Sequence, residues 1–573
     1  MKSTKKFLAG AAVLSLALSA CGNGGTTPAP GQSTGGGNQG AEFAADYNKQ
    51  PLSNVQQGGE LNLSIGEITP QMNVFHMDMT SDTRNLWEWY NPTPIWFEAN
   101  GDVVYDPNYL TNVSAETKDG KTVVTYDINA KATYNDGTPI DYTSFVNTWQ
   151  SNRGDEGFDS NSTDGYVQIE SVERGASDKQ AVVTFQGIYA WYDGLFNSLL
   201  HPAVNSAELY ANAYLNPNGG NMESAHPEWG AGPYKLTTFD EIGGLIILEP
   251  NELWWGDNKA KLDKVIIQQR ESVAALNAFK NGEVDAVGAS SAENLSQVST
   301  MSGISIRRGA TPAIFMITLN SGSPILEDVK VREAIANGIN REQIAAVQFN
   351  GLDYTEDAPG SFVLYPYQTG YEDNFGKVAQ FDLENSKKIL EDAGWKAGAD
   401  GIRAKDGQKL SLNLPIFGDA QLTKNRAQAV QSQLKEIGVE VNIISKASSE
   451  FSSVMSARDF DLTISGFRSS DPFGVAYFCQ IFCSDSNLNK SGTGTEAIDA
   501  EIRELEGLGT ADEQIKRANE VETEALKSFG LIPLFTGVTI VATTENLANV
   551  GAGVFATNSQ SIVSAKEYVG FQK

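Results

Sequence analysis

Cysteine, histidine and basic side chains are all scarce in this 573-residue chain. It has three Cys and three His, and its 42 Lys and Arg stand against 71 Asp and Glu, a net charge of −29. So few Cys and His argue against a disulfide-rich scaffold or a site for several metal ions. The acidic balance argues against nucleic acid as a partner, because phosphate backbones are bound by Lys and Arg.

Sequence motifs for catalysis are also lacking. The chain has no phosphate-binding loop, no EF-hand loop and no H-E-x-x-H zinc motif. Acidic residues are so numerous that pairs of carboxylates are expected by chance and do not indicate a glycosidase. We therefore expect no enzyme activity and no cofactor. The 40% hydrophobic content and 9 Trp are those of a globular protein, and the length suggests three or four domains at ~150 residues each.

The N-terminus has the pattern of a secretory signal. Lys2, Lys5 and Lys6 precede an uncharged stretch over residues 7–20, which is shorter than the ~20 apolar residues of a membrane-spanning helix. The stretch ends at Leu18-Ser19-Ala20-Cys21 and looks like a bacterial lipobox, in which the Cys is acylated; an ordinary signal with a chance Cys is the alternative. We predict a signal peptide over 1–20, a lipid on Cys21 and a flexible tether over 21–57. This would anchor the protein at the extracytoplasmic face of a bacterial cell membrane.

Two cysteines remain if Cys21 carries a lipid. Cys479 and Cys483 are four residues apart. Disulfides persist outside the cell, and we predict a bridge between these two residues, provided that the backbone brings their Cα atoms close enough. Two free thiols in an apolar wall are the alternative. We expect no metal at this pair, because no His is close.

Helix, glycine and strand patterns follow one another in at least two parts of the chain. Residues 272–280 form a predicted helix that ends before Gly282 and is followed by a strand, and residues 427–437 are followed by Gly438 and an alternating strand. This order is typical of α/β layers. The longest helical pattern spans 327–349 and is interrupted at Gly338.

A series of short motifs resembles the family 5 extracellular solute-binding proteins, the peptide and nickel receptors of ABC importers. Thr133-Tyr134-Asn135-Asp136-Gly137-Thr138-Pro139 is similar to the family's F-H-D-G-x-P signature, with Asn135 in place of the His. Further segments follow in the family's order: Gly230-Ala231-Gly232-Pro233-Tyr234, Gly282-Glu283-Val284-Asp285, Asp328-Val329-Lys330-Val331-Arg332, Leu390-Glu391-Asp392-Ala393-Gly394-Trp395 and Phe460-Asp461-Leu462. The resemblance covers about residues 58–540.

This resemblance implies an α/β fold, the two-lobed clamp of type II periplasmic binding proteins with an extra domain inserted in the first lobe. Lobe I would comprise 58–98, 216–310 and 533–573, the extra domain 99–215, and lobe II 311–532. Closure about a hinge would enclose the ligand. The implied function is to capture peptides and deliver them to a membrane permease and its ATPase subunit, and we expect a monomer.

The resemblance also implies a peptide site after the strand that begins near Asp461. In peptide-binding relatives an Asp in this stretch holds the ligand's α-ammonium group, and Asp471 is the predicted equivalent, although an ungapped match falls on Ser470. Asp471 could instead cap a turn before Pro472. Arg468 could meet a ligand carboxylate or pair with Asp471. Aromatic side chains that could wall the pocket or pack in the core are Phe467, Phe473, Tyr477 and Phe478.

A second aromatic cluster follows the first predicted strand. It comprises Trp87, Trp89, Tyr90, Trp96 and Phe97. Exposed Trp rings could stack on sugars or apolar peptide side chains, whereas buried ones would belong to the core. The cluster is the main support for the alternative ligand class, oligosaccharides. An adhesion or signalling lipoprotein that kept the fold is a further alternative.

Overall fold

The computed structural model describes residues 45–573 apart from 67, 69, 99–100, 216–224, 353, 419, 447–449, 470, 554, 556–561 and 563–564. The predicted signal peptide, Cys21 and most of the tether lie outside the described residues. Within the described ranges, no helix has the length and apolar character needed to cross a bilayer.

The strands are distributed along the whole described chain. In order they are β1 (Ala45–Tyr47), β2 (Glu60–Ile65), β3 (Ile95–Phe97), β4 (Val103–Tyr105), β5 (Leu110–Lys118), β6 (Lys121–Ile128), β7 (Ile169–Arg174), β8 (Gln180–Phe185), β9 (Tyr234–Asp240), β10 (Leu245–Pro250), β11 (Lys264–Gln269), β12 (Ala286–Gly288), β13 (Ile304–Leu319), β14 (Lys396–Ala397), β15 (Arg403–Lys405), β16 (Gln408–Lys409), β17 (Ser411–Phe417), β18 (Glu440–Lys446), β19 (Leu462–Arg468), β20 (Leu531–Thr544), β21 (Leu547–Ala548), β22 (Gly551–Gly553) and β23 (Gly570–Phe571).

The helices are concentrated in the second half. They are α1 (Ser81–Tyr90), α2 (Tyr142–Asn152), α3 (Ala207–Asn212), α4 (Ser272–Lys280), α5 (Ala292–Val298), α6 (Val329–Gly338), α7 (Arg341–Gln348), α8 (Leu383–Asp392), α9 (Gln421–Glu436), α10 (Phe451–Ala457), α11 (Phe478–Phe482), α12 (Glu496–Glu506) and α13 (Ala511–Leu526). Short 3-10 turns lie at Leu52–Asn54, Tyr166–Gln168, Tyr192–Gly194, Pro227–Trp229, Gly474–Tyr477 and Lys566–Tyr568.

Three four-stranded sheets organise the molecule. One has the order β2-β11-β10-β9, with β2 parallel to β11, and a second, antiparallel sheet has the order β5-β6-β8-β7. The third has the order β12-β20-β13-β19 and contains the two long strands β13 and β20, which pair antiparallel over most of their length. Strands β17 and β18 form a separate parallel pair. The predicted domain boundaries place the first sheet in lobe I and the second in the extra domain, whereas the third sheet contains strands of both lobes. These boundaries stay a prediction.

Side-chain alternation accounts for the strands that the sequence predicts best. Strands β6 and β8 alternate buried and half-buried residues, because one face packs on the core. Both coincide with segments that the sequence predicts as strands, residues 121–128 from their apolar and polar alternation and residues 180–185 as a further strand. Capping explains the start of α8, where the Asp382 carboxylate accepts a hydrogen bond from the Asn385 N–H. The sequence predicts this cap, since Asp382 precedes a helical pattern that ends at Gly394.

The long helical pattern over 327–349 is two helices in the structure. Helix α6 ends at Gly338, and Asn340 caps the next helix by accepting a hydrogen bond from the Gln343 N–H. Gly338 is also closely packed, since a Cβ there would lie 2.8 Å from the Ile437 side chain. A glycine that is needed for close packing, followed by an Asn cap, therefore separates the two helices.

Strands β13 and β20 were not predicted from the sequence. Pro312 lies inside the first and Pro533 and Gly537 inside the second, and such residues usually mark turns. The structure accommodates them at irregularities in register between Thr311 and Ile314 and between Phe315 and Met316. These two strands form the floor of the candidate site.

Candidate ligand-binding cleft

A cavity of about 630 Å³ lies over the two long strands, and we call it the hinge cavity. Thr311, Ala313 and Phe315 of β13 and Gly537, Val538 and Thr539 of β20 line it. Three further segments complete its walls. They are Ser290, Ser291 and Ala292 at the start of α5; residues 347–350 and Leu352 at and after the end of α7; and Leu422, Asn425 and Arg468. This volume is in the range of small-ligand sites, which are typically ~300–1,000 Å³.

Strand β19 reaches the hinge cavity with one free edge. It pairs with β13 from Leu319↔Leu462 to Ala313↔Arg468 and is the last strand of its sheet. Strand β17 lies beside the start of the other edge, where the Asp461 N–H donates a hydrogen bond to the Asn413 carbonyl at 3.2 Å. Beyond that point, in the part of the chain that the structure describes, no strand pairs with this edge of β19. Gly466 and Arg468 are exposed there. An unpaired edge beside a cavity can accept the backbone of an extended ligand.

The predicted residues Phe467 and Arg468 end strand β19. Arg468 lines the hinge cavity, and Phe467 is half-buried against the main core. Among the described residues, the Arg468 guanidinium forms no hydrogen bond or ion pair, so the predicted alternative of an Arg468–Asp471 pair is not formed. Ser470 lies outside the described residues.

Asp471 uses both carboxylate oxygens within its own loop. Oδ1 accepts a hydrogen bond from the Phe473 N–H at 2.8 Å, and Oδ2 accepts one from the Tyr477 hydroxyl at 2.6 Å. Burial raises the pKa of Asp471, and the Tyr477 and Phe473 hydrogen bonds oppose that rise. The turn-capping role is therefore present in the structure. Each oxygen retains a second lone pair, so the role as an amine anchor stays a prediction.

The loop after β19 packs against residues of the predicted extra domain and its neighbours. The Phe473 ring contacts Phe97 edge-on at 5.3 Å between centroids and lies 5.7 Å from the Trp191 ring. A Cβ at Gly101, whose φ is +92°, would lie 2.9 Å from the Pro472 Cβ. The Phe473 ring therefore packs against Phe97 and Trp191, and both Phe473 and Tyr477 lie outside the lining of the hinge cavity.

The expectation that Trp87, Trp89 and Tyr90 form a stacking wall is wrong for this structure. All three are at most 1% exposed and belong to the core under the β2-β11-β10-β9 sheet. Trp87 packs edge-on against Tyr214, and Trp89 against Tyr234. The C-terminal half of α1 is buried on every side, so these rings offer no face to a ligand.

Cys479 and Cys483 are joined by a disulfide in the structure. Their Cα atoms are 4.6 Å apart; Cys479 lies in α11, and Cys483 is the extended residue that directly follows the helix. The disulfide links the first turn of α11 to the residue that follows this short helix, and α11 itself follows the loop containing Asp471.

Sequence reasoning missed the cavity residues that lie outside the β19 segment. Ser290 follows β12, and Thr311, Phe315 and Thr539 lie on the two unpredicted strands. The available signal was the long apolar runs at 313–319 and 531–542, which are typical of buried strands. Thr311 and Thr539 face one another with their hydroxyls 2.8 Å apart.

Comparison with known proteins gives one consistent family. Residues 105–489 match the sequence profile of "Bacterial extracellular solute-binding proteins, family 5 Middle". The chain is 34% identical over 517 residues to the oligopeptide-binding protein OppA of Mycobacterium tuberculosis, covering 89% of this chain and 85% of that relative.

Solved structures share the fold. The periplasmic EDTA-binding protein EppA superposes with a TM-score of 0.78 at 22% identity, covering 92% of this chain and 98% of that one. AppA from Bacillus subtilis, solved with a nonapeptide, superposes with a TM-score of 0.65 at 20% identity, covering 91% and 100%. The fold is thus the predicted two-lobed clamp. The family is one of solute-binding proteins rather than enzymes, and this chain belongs to the family 5 extracellular solute-binding proteins.

Proposed function

We propose that this protein captures peptides in the cleft over β13 and β20 and delivers them to the permease and ATPase of an ABC importer. The observation that carries the proposal is the hinge cavity beside the unpaired edge of β19. An extended peptide can form main-chain hydrogen bonds with such an edge while its side chains occupy the cavity. The similarity to a relative named as an oligopeptide-binding protein supports the same ligand class.

The finer parts of the proposal concern the lipid anchor, the location of the protein and its oligomeric state. The lipobox at Leu18–Cys21 supports acylation of Cys21 and attachment to the extracytoplasmic face of the membrane. We propose that the lipidated chain acts as a monomer, since a clamp of this kind encloses its ligand without a second copy. Mass spectrometry of the membrane-extracted protein would detect the acyl chains, and the Cys21→Ala variant would be released into the medium.

A thermal-shift series tests peptide binding. Di- to decapeptides of mixed sequence should raise the Tm, because a ligand that binds only the native state stabilises it by about 2.7 kcal/mol at 100 Kd. Cello- and manno-oligosaccharides form the second arm, because Trp87 and Trp89 are buried but Trp96 of the same cluster is half-buried. A shift with oligosaccharides and none with peptides would reject the proposal.

The amine-anchor role of Asp471 has its own test. Asp471→Ala should weaken peptides with free N-termini at least tenfold and leave N-acetylated peptides nearly unchanged, because only the former carry an ammonium group. Isothermal titration measures both. The matched control is Tyr365→Phe, which removes the 3.1 Å hydrogen bond between the Tyr365 hydroxyl and Ser469 in the same region without removing a charge. Equal loss for both peptide forms would exclude the anchor.

A further inference from the structure

The hinge cavity differs in charge from the rest of the protein. None of the described residues that line it carries a carboxylate, although the chain has 71 Asp and Glu against 42 Lys and Arg. Its charged lining residue is Arg468. The carboxylate of Glu356, beyond the lining residue Leu352, is bound by the Arg308 guanidinium, which also donates a hydrogen bond to the Leu352 carbonyl. Glu356 is therefore neutralised by its own partner.

The backbone of Arg468 is held in position, and its side chain is exposed, with no counter-ion among the described residues. Its backbone is fixed by the ladder to β13 at Ala313, and the next residue continues the ladder through a hydrogen bond from the Ser469 N–H to the Pro312 carbonyl at 2.9 Å. In the described chain no acid reaches its guanidinium. In a protein with a net charge of −29, an unpaired arginine at a cavity is the group expected to meet an anion supplied by the ligand.

Helix α9 adds positive potential on the same side. Leu422 and Asn425, from its first turns, line the cavity, and no side-chain cap is formed at the helix start among the described residues. Asp419, which precedes the N-cap residue Ala420, lies outside the described residues. Arg426 lies 5.8 Å from the centroid of the Phe315 ring, and Phe315 is itself a lining residue. The Arg426 Nε is buried and has no hydrogen-bond partner. Helix start and guanidinium both favour negative charge nearby.

We propose that the hinge cavity binds a carboxylate of the ligand through Arg468, so that the protein prefers peptides that carry an acidic side chain. This inference rests on the proposed function and narrows its substrate class. The same chemistry could be supplied by the peptide's α-carboxylate, and the experiment below separates the two sources. Cationic peptides are disfavoured, because their side chains would be placed against Arg468, and none of the described lining residues carries a carboxylate to compensate.

The test compares peptides that are matched in size and differ in charge. Tripeptides of alanine with one Glu, Gln or Lys at each of the three positions are titrated calorimetrically, each as the free acid and as the C-terminal amide. We expect at least one Glu peptide to bind tenfold or more tightly than its Gln counterpart, and the Lys peptides to bind most weakly. A Glu preference that is retained in the amides identifies the side chain as the source. A loss of affinity on amidation that is equal for the Glu and the Gln peptides identifies the α-carboxylate instead.

Substitution of the arginine completes the test. Arg468→Gln should remove the preference for Glu over Gln while the Gln peptides still bind, and Arg468→Lys should retain part of it. Arg174→Gln is the matched control, since Arg174 is an exposed residue of β7 paired with Asp178. Equal affinities for Glu and Gln peptides in the unmodified protein, or an unchanged preference in Arg468→Gln, would overturn the inference and leave peptide capture intact. If no peptide binds at all, the proposed function fails and the inference fails with it.

Discussion

Aromatic residues cluster in two regions of this protein, and the structure uses them in opposite ways. At the end of α1, Trp87, Trp89 and Tyr90 fill the core. In the loop after β19, Phe473 and Tyr477 are half-buried. Both regions contain large aromatic residues, and the secondary-structure element that carries them determines whether the rings are fully buried. A helix half enclosed by two layers can only pack its rings, whereas a loop can move them and present them to a ligand.

The largest expected effect is a loss of stability, and it should be greater for a substitution in α1 than for one in the loop after β19. Trp87→Ala should lower the free energy of unfolding by about 3–5 kcal/mol, because it leaves a cavity beside Tyr214 in the core. Phe473→Ala should cost less, since its ring is only partly enclosed. Urea unfolding measures both. In the fraction that remains folded, Trp87→Ala should bind peptides with unchanged affinity.

The contrast between the two aromatic regions would be wrong if Trp87→Ala weakened peptide binding without lowering the free energy of unfolding. Trp87→Phe serves as the second variant in case the alanine variant does not fold. It removes less volume and should show a smaller loss in the same direction. A ligand effect that persisted in Trp87→Phe would place this ring in the site after all.

The second effect comes from buried charges next to α1. Glu88 and Lys566 lie 3.6 Å apart at the core, with Glu567 beside them. Burial raises the pKa of Glu88 and that of Glu567 to about 7, and it lowers the pKa of Lys566 to about 8. A raised carboxyl pKa means that the folded state holds a proton that the unfolded state has released. Stability therefore falls as pH rises from about 4.5 to about 7.

Glu567→Gln should remove its share of this pH dependence. Because Gln does not ionise, the variant should gain stability relative to the unmodified protein between pH 5 and pH 8, by up to about 3 kcal/mol. Chemical unfolding at a series of pH values gives the difference directly. Glu384→Gln, an exposed residue paired with Lys387, should show no such trend. A constant difference between the two proteins across this range would contradict the prediction.

A third, smaller effect is expected at the disulfide that follows the loop. The Cys479–Cys483 bridge closes a short loop, and the chain-entropy relation gives about 2 kcal/mol for a loop of this length. The double variant Cys479→Ser, Cys483→Ser should lose about that much stability to urea. Trp87→Ala should lose more, since it acts on the core. A double variant as stable as the parent would show that α11 alone holds this region.

Local patterns predicted much of the fold, and long-range pairing decided the rest. Alternation located β6 and β8, and the Asp382 cap located α8, because each signal is complete within a few residues. Strands β13 and β20 escaped prediction because their pairing tolerates Pro312 and Pro533 only at irregular register. Their apolar residues are also continuous, which does not distinguish a buried strand from a helix.

The candidate site was also only partly predictable, because local motifs indicate some of its residues and long-range pairing supplies the others. Motif order indicated the β19 segment and hence Arg468, but not the wall opposite it. Ser290 and Thr539 are separated by about half the chain, and only the folded sheet brings them to one cavity. For Trp87, sequence left open whether the ring is buried or exposed, since that depends on layers supplied by distant strands.

The smallest expected effect on stability is that of substituting Tyr477. The same substitution tests whether the loop after β19 takes part in ligand binding. Tyr477→Phe removes the hydroxyl that donates to Asp471 and should cost about 1 kcal/mol of stability. Because that hydrogen bond opposes the rise that burial causes in the Asp471 pKa, its loss should raise this pKa further. If Asp471 binds the peptide amine as a carboxylate, acidification should then abolish binding at a higher pH in Tyr477→Phe than in the unmodified protein. N-acetylated peptides, measured by calorimetry over the same pH series, should show no difference between the two proteins. A common pH midpoint for free and acetylated peptides would mean that Asp471 only shapes the loop.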